Sequence, residues 1–492
     1  MSDIGYSYLK SALKLSAFKP TRPAKVASVL RVTLTPETLL IPEKVAPKDE
    51  NPLTHLLFAL KHEGINLQIL SQALKKIAAQ DLLAAINATP TATYVRIACY
   101  LWEAFNKQDL VGAPAISGNA VNLFDPQRYI TGPNVRHAKW RVNFNGLGSL
   151  DYCATVEITP RITAWLESKI LQRANDLVSH LGVAASDRAI AWAYLSETKS
   201  SFEIERESAS PSKAEAFVEL LKKAHITSQL DEANLVALQN TVITNPLDLA
   251  SCYRHQQNWL SSALRGAAGV TYIPPPPALV EDLMKGLVDF ANNAPKQIDP
   301  IVAAAIISFG FVFIHPFMDG NGRLSRFLFH HALCQSGQLK NGLLLPVSIA
   351  MKRHENEYLT TLKTFSEPAR QMWNVLWIEN DHYDMTFNSE ESIYRYWNAT
   401  ACVEFGLEMA EQALDKDLKE EIAFLTQYDR MHLSINNQYD VRGKDLNILM
   451  LGCIDQKGTI SANRRKKFAL TVPTEVFDAI EKAYEKEFAG NQ

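Results

Sequence analysis

Nothing in this 492-residue chain stays apolar long enough to cross a bilayer as a helix. The longest uncharged apolar stretch, Pro300 to Ile314, falls short of the ~20 residues that span the hydrocarbon core, and it predicts a buried core helix. Lys10, Lys14 and Lys19 interrupt the N-terminal stretch, which offers no continuous apolar segment of the kind a secretion signal needs. Cysteine is sparse as well. Cys99, Cys153, Cys252, Cys334, Cys402 and Cys453 are scattered, with no C-x-x-C pair and no zinc-like spacing to a histidine. That excludes a disulfide framework and predicts reduced, buried thiols. Net charge is small, −3, so no global field recruits nucleic acid or an anionic membrane. These absences together point to a cytoplasmic protein that binds no membrane.

What is present is ordinary for a globular chain. Hydrophobic residues at 47% against 21% charged allow real cores and argue against wholesale disorder. The length, at ~100–200 residues per domain, suggests two to four domains. Residues 1–50 are rich in Pro and Thr and read as an arm. Helical spacing runs from Pro52 to about Leu110. Residues 111–160 shift to Asn-Gly, Gly-Leu-Gly and alternation, the marks of loops and short strands. Helical spacing returns at about Pro160 and holds to Phe365. A weakly structured stretch, FSEPARQMWNVLWIENDHYDMTFNSEES, then precedes a helix near 390–412. After it come a charged helix, a short apolar helix, a basic turn holding Arg464, Arg465, Lys466 and Lys467, and a last helix.

The segment FIHPFMDGNGRLSRFLFHHAL concentrates the chemistry. The apolar helix ending at Ile314 delivers His315 to the start of a loop, where an imidazole with a pKa near working pH can act as a general base. Asp319 places a hard carboxylate oxygen beside it, suited to Mg²⁺. Gly320, Asn321 and Gly322 open the next helix, so backbone N–H groups and the helix dipole form an anion cradle. Arg323 and Arg326, three apart on that helix, can both fork onto phosphate oxygens. His330 and His331 are adjacent, cannot share a helix face, and read as packing and surface.

This segment resembles the signature of the Fic family, H-x-F-x-D-G-N-G-R-x-x-R, at His315, Phe317, Asp319, Gly320, Asn321, Gly322, Arg323 and Arg326. Upstream, SSFEIERE is similar to the family's inhibitory motif through Ser201 and Glu205, with Arg206 where Gly or Asn is expected. NWLSSALRGAAGVTYIPPPPALVEDLM resembles the family's flap, at Thr271, Tyr272 and Ile273. LLLPVSIAMKRHENEYLTTLKTF is similar to the helix that closes over adenine, with Arg353 and Tyr358 as candidates. The C-terminal segment resembles the winged-helix tail of some members. The resemblance thus implies a mainly α fold: a Fic (Fido) helical core with a short β-hairpin flap, an N-terminal α(+β) region and a small C-terminal winged-helix-like module. The expected bounds are an arm over 1–50, an N-terminal domain over 51–165, the Fic domain over 166–400 and the C-terminal module over 401–492. Within the Fic domain lie the inhibitory helix at about 190–207, the flap at about 256–276 and the motif at 315–326.

The activity implied is transfer of AMP from ATP, with Mg²⁺, onto a Ser, Thr or Tyr hydroxyl of a target protein or of the chain itself. Gly320, Asn321, Gly322, Arg323, Arg326 and Tyr358 would hold ATP, Asp319 the metal, and His315 would take the hydroxyl proton. Glu205 would compete for Arg326 and inhibit; in the family the same glutamate can orient a water that removes AMP. Gly322 and Arg323 favour AMP over the phosphate transferred by kinase-like relatives. Another transferase on the same fold, a DNA-binding regulator acting through Arg464–Lys467, and a homodimer stay open as alternatives.

Overall fold

The computed structural model describes residues 3–226, 229–243, 245–340, 342–379 and 382–488; the outermost residues of the two terminal segments lie outside it. The chain is mainly helical, with small two- and three-stranded sheets. Among the described residues no helix is long and apolar enough to cross a membrane.

Helix Pro300–Ile314 is the axis of the central core. It is buried at every position because it is apolar on every face. Its start is fixed by Asp299, whose side chain accepts from the Ile301 and Val302 N–H groups, and by Pro300, whose ring presets the first turn. Around it pack helices Pro277–Asn293, Asn321–Gln335 and Thr400–Gln412. Each Ile, Val or Phe buried there contributes about 1.5–3 kcal/mol. Helix Val183–Ile204 lies against helices Asn321–Gln335 and Val347–Arg353, which brings the SSFEIERE segment to the motif.

The N-terminal half has its own apolar cluster, built on helices Pro52–His62, Leu67–Lys76, Ala79–Ala88 and Thr93–Asn106. The stretch expected as an arm is instead folded onto it. Helix Gly5–Ala12 buries Tyr6 and Leu9, and the Tyr6 hydroxyl donates to the Gly64 carbonyl. Strand Ala24–Ala27 runs parallel to Leu39–Pro42, with Thr33–Leu34 antiparallel on the other side. The loops and short strands expected over 111–160 are present. One of them, Cys153–Thr155, pairs in parallel with Tyr396–Asn398 and so stitches the N-terminal half to the central core.

Two further stretches fold otherwise than expected. The stretch read as weakly structured forms a hairpin, Trp373–Glu379 against His382–Phe387, so the flap has a second hairpin beside it. Pairing Trp373 with Phe387 and Val375 with Met385 puts their side chains on one face, against Val270 and Ile273 of the flap. The basic run read as a turn is a short helix, Ala462–Phe468, capped by the Ser461 hydroxyl. Among the described residues no strand follows Asn398. The C-terminal helices share a cluster of their own around Leu446, Leu449, Met450, Phe477 and Ile480.

Candidate active site

His315 ends helix Pro300–Ile314 in the left-handed conformation, φ 53°, a shape that turns the chain sharply at the cost of strain in a residue with a Cβ. Its Nδ1–H donates to the Val312 carbonyl at 3.1 Å, which leaves Nε2 as the basic nitrogen. Burial, the buried guanidinium of Arg254 adding to it, pushes the imidazole down to about 4 against the pull of Val312 and Glu205, so it is neutral near pH 7. The loop after it is closed by Asn321. That amide donates to the Phe317 carbonyl at 2.8 Å and accepts from the Phe317 N–H at 3.0 Å. Asn321 thus braces the loop with both ends of its side chain. Gly320, at φ 86°, makes the reverse turn that starts helix Asn321–Gln335, a conformation glycine adopts freely.

Asp319 accepts from the Gly320 N–H at 2.6 Å through Oδ1 and faces Arg323 through Oδ2 at 3.3 Å. Its side chain is 42% exposed, open to a further partner. Arg323 is almost wholly buried. It donates to the Val242 carbonyl at 3.0 Å and to Glu207 at 2.8 Å, with the Phe202 ring 5.3 Å beneath. Nothing in the local sequence marks Glu207 as a partner of Arg323. It lies two residues beyond Glu205, and no local pattern ties it to an arginine more than a hundred positions away.

Arg326 is as deeply buried as Arg323. At 1% exposure it donates from Nε to the Ser201 hydroxyl at 2.9 Å and from Nη2 to the Ser201 carbonyl at 2.7 Å. Glu205 Oε1 lies 2.9 Å from Nη2, while Nη1 has no acceptor among the described residues. A second contact ties the same two helices one turn further on. Glu197, fully buried, lies 2.8 Å from His330 Nε2 and accepts from the Ser348 N–H at 2.8 Å and from its hydroxyl. Burial works to raise that carboxyl, but His330 and Ser348 outweigh it and hold it below the usual range. His330 and His331 are therefore both interior, at 1% and 4% exposure, because helix Asn321–Gln335 is covered on nearly every side.

The flap is strand Leu260–Ser261 antiparallel to Val270–Tyr272. Of its three expected residues, Thr271 is exposed and donates to the Leu260 carbonyl at 3.0 Å. Tyr272 and Ile273 are buried, Tyr272 donating its hydroxyl to the Phe313 carbonyl. Tyr358 is half-buried beside Arg326; burial pushes its phenol up to about 12, with the arginine pulling the other way. Arg353 points elsewhere and forks onto Asp417 at 2.7 and 3.1 Å.

Comparison with known proteins agrees with this geometry. The Fic/DOC family matches residues 229–333, a stretch that holds the flap, the loop and the arginine helix but not Ser201 or Glu205. A probable protein adenylyltransferase of Aquifex aeolicus is 36% identical over 101 residues, 20% of this chain and 28% of that protein. The protein adenylyltransferase fic-1 of Caenorhabditis elegans is 40% identical over 67 residues, 13% of each. The chain therefore spans under a third of these relatives. A solved Fic family protein from Desulfovibrio desulfuricans G20, 18% identical, aligns with 65% of this chain and 87% of its own at a TM-score of 0.37. With the family match falling on the loop and helix that carry His315, Asp319, Arg323 and Arg326, the chain contains a domain of the Fic/DOC family.

Proposed function

We propose that this chain is a protein adenylyltransferase, moving AMP from ATP to a hydroxyl side chain of a target protein. The observation that carries this reading is the placement of a neutral imidazole, His315, at the end of one helix and of an anion cradle, Gly320 to Gly322, at the start of the next. The family match and the names of the relatives support it. The backbone amides of the cradle and the buried, unpaired Nη1 of Arg326 suit phosphate oxygens, and Tyr358 stands beside that arginine.

Magnesium in nucleotide sites is held by one or two carboxylates together with phosphates, and the half-open carboxylate of Asp319 fits that pattern. Bound there, the ion would supply charge neutralisation at the phosphates. His315 Nε2 accepts the proton of the target hydroxyl as that oxygen bonds to the α-phosphorus. The α,β-bridging bond breaks, and pyrophosphate leaves with its electron pair. Positioning and charge do most of the work, as is usual in transfer at phosphorus. The Glu205 carboxylate on Arg326 holds this site in an inhibited state. Six free cysteines accord with a reducing, cytoplasmic setting.

The other readings find less support. Arg465 of the basic helix is taken up by Asp478 and Glu481 at 3.0 and 2.7 Å, which leaves fewer free cations for DNA. The test is incubation of the chain, alone and with cell lysate, with ATP labelled at the α- or the γ-phosphate. Label on a protein hydroxyl from α-labelled ATP only is the expected result. Label from γ-labelled ATP only would replace this reading with phosphate transfer, and α-labelled UTP tests for UMP.

A further inference from the structure

Arg254, just upstream of the flap, is 4% exposed, and among the described residues the titratable groups acting on it are the Tyr272 and Tyr394 phenols, with no carboxylate among them. A buried guanidinium without a counterion is expensive unless its N–H groups find other acceptors. Those of Arg254 are all backbone carbonyls. Nε donates to the His315 carbonyl at 2.8 Å, and Nη2 reaches Ile314 at 3.5 Å. The backbone N–H of the same residue donates to Pro316 at 2.8 Å. On the opposite side Nη2 donates to the Pro275 carbonyl at 2.6 Å and Nη1 to Gln256 at 3.1 Å. Its neighbours extend the pattern: Gln257 donates to Pro274 and Asn258 to Phe317, at 3.0 and 3.1 Å.

Two structures meet at Arg254 and its neighbour Gln257. The carbonyls of 314–316 are the unsatisfied C-terminal end of helix Pro300–Ile314, carried through the left-handed turn at His315. The carbonyls of 274 and 275 belong to the proline connector that leaves the flap strand. A cation suits the negative end of a helix, but ending a helix needs only a glycine cap or solvent. A bridge to the flap connector is not needed for that. We propose that Arg254 is a positioning residue that holds the flap and the His315 loop in one fixed relation, so that a target hydroxyl brought by the flap meets the base. The inference rests on the transferase reading and adds a residue to it. Charge links the same two residues: of the charged groups facing His315, Arg254 disfavours the imidazolium, opposed by Glu205.

The test uses the full chain with Arg254→Ala and Arg254→Lys. Deuterium uptake should rise together over 257–275 and 314–317 and stay unchanged in the N-terminal half. The kcat for incorporation of α-labelled AMP should fall about 10- to 100-fold, the range expected when reacting groups lose alignment, with KM for ATP within about threefold. The alanine variant should also carry the acid limb of the pH–rate profile to higher pH. The lysine variant, which keeps the charge but not the fork, should lose rate with the limb unmoved. A kcat equal to wild type in either variant overturns the proposal, as does uptake that rises on one side only. Should circular dichroism show the alanine variant unfolded, the lysine variant decides by the same readouts. If wild type incorporates no label, the transferase reading fails, and the exchange measurement alone decides whether Arg254 couples the two segments.

Discussion

Glu205 Oε1 sits 2.0 Å from the point that a Cβ on Gly322 would occupy. The carboxylate thus rests on the bare backbone of the anion cradle while holding Arg326 at 2.9 Å. On the proposed reading, a phosphate drawn to the same amides and the same guanidinium would compete with it directly. We expect Glu205→Gly to raise transfer, most readily seen as self-labelling from α-labelled ATP. Each ~1.4 kcal/mol of lost closure is tenfold in competent population. Adding Arg326→Ala should abolish the gain; an unchanged rate in the single variant would sink the inhibitory role.

Arg206 adopts φ 58°, the left-handed conformation, at the position where the resemblance expects Gly or Asn. A side chain there costs about 1–2 kcal/mol, against roughly 0.5–1 kcal/mol of extra unfolded-chain entropy for glycine. Arg206→Gly should therefore stabilise the chain slightly, by about 0.5–1 kcal/mol, and lower self-labelling by setting Glu205 more firmly. Thermal melting and the labelling rate check both, and a lower midpoint would show that Arg206 makes contacts worth more than its strain.

Asp319→Ala should leave transfer nearly nil and indifferent to added Mg²⁺. Activity that still titrates with Mg²⁺ as in wild type would move the ion to other ligands.

His315→Ala should end transfer while calorimetry still detects ATP binding, since in the proposed mechanism the imidazole acts on the target hydroxyl and not on ATP. Because the imidazole is held down to about 4, wild-type kcat should stay flat as pH falls from 7 to 5 and drop only near pH 4. A limb near 6.5 would mean that the base sits in water.

His331 is 4% exposed, and burial pushes it down to about 4; its Nε2 has no partner among the described residues. Its folded value lies below the unfolded 6.5, so the unfolded chain takes up the proton first. Stability from this group is intact above 6.5 and is lost as pH falls towards 4, by about 3 kcal/mol at most. His331→Phe should flatten the fall in melting temperature over that window, and an unchanged slope would assign the loss elsewhere.

The motif was legible because its chemistry is local. A helix that ends at His315, a glycine-framed turn and two arginines three apart are set by neighbours along the chain, and the structure keeps that order. The hairpin at 373–387 was not legible. Its alternation is blurred by apolar side chains on both faces, with Leu376 and Ile378 outward, and its inner face is explained only by the flap it covers.

By itself the sequence determined which groups stand together along the motif, since residue type and short spacing settle what one segment can present. Tertiary structure alone decided which distant partners those groups and their neighbours meet. It set Glu207 on Arg323, Glu197 on His330 and Arg254 on the His315 carbonyl. Each contact joins residues tens to more than a hundred positions apart, and a buried charge takes whatever acceptor packing leaves within about 3 Å.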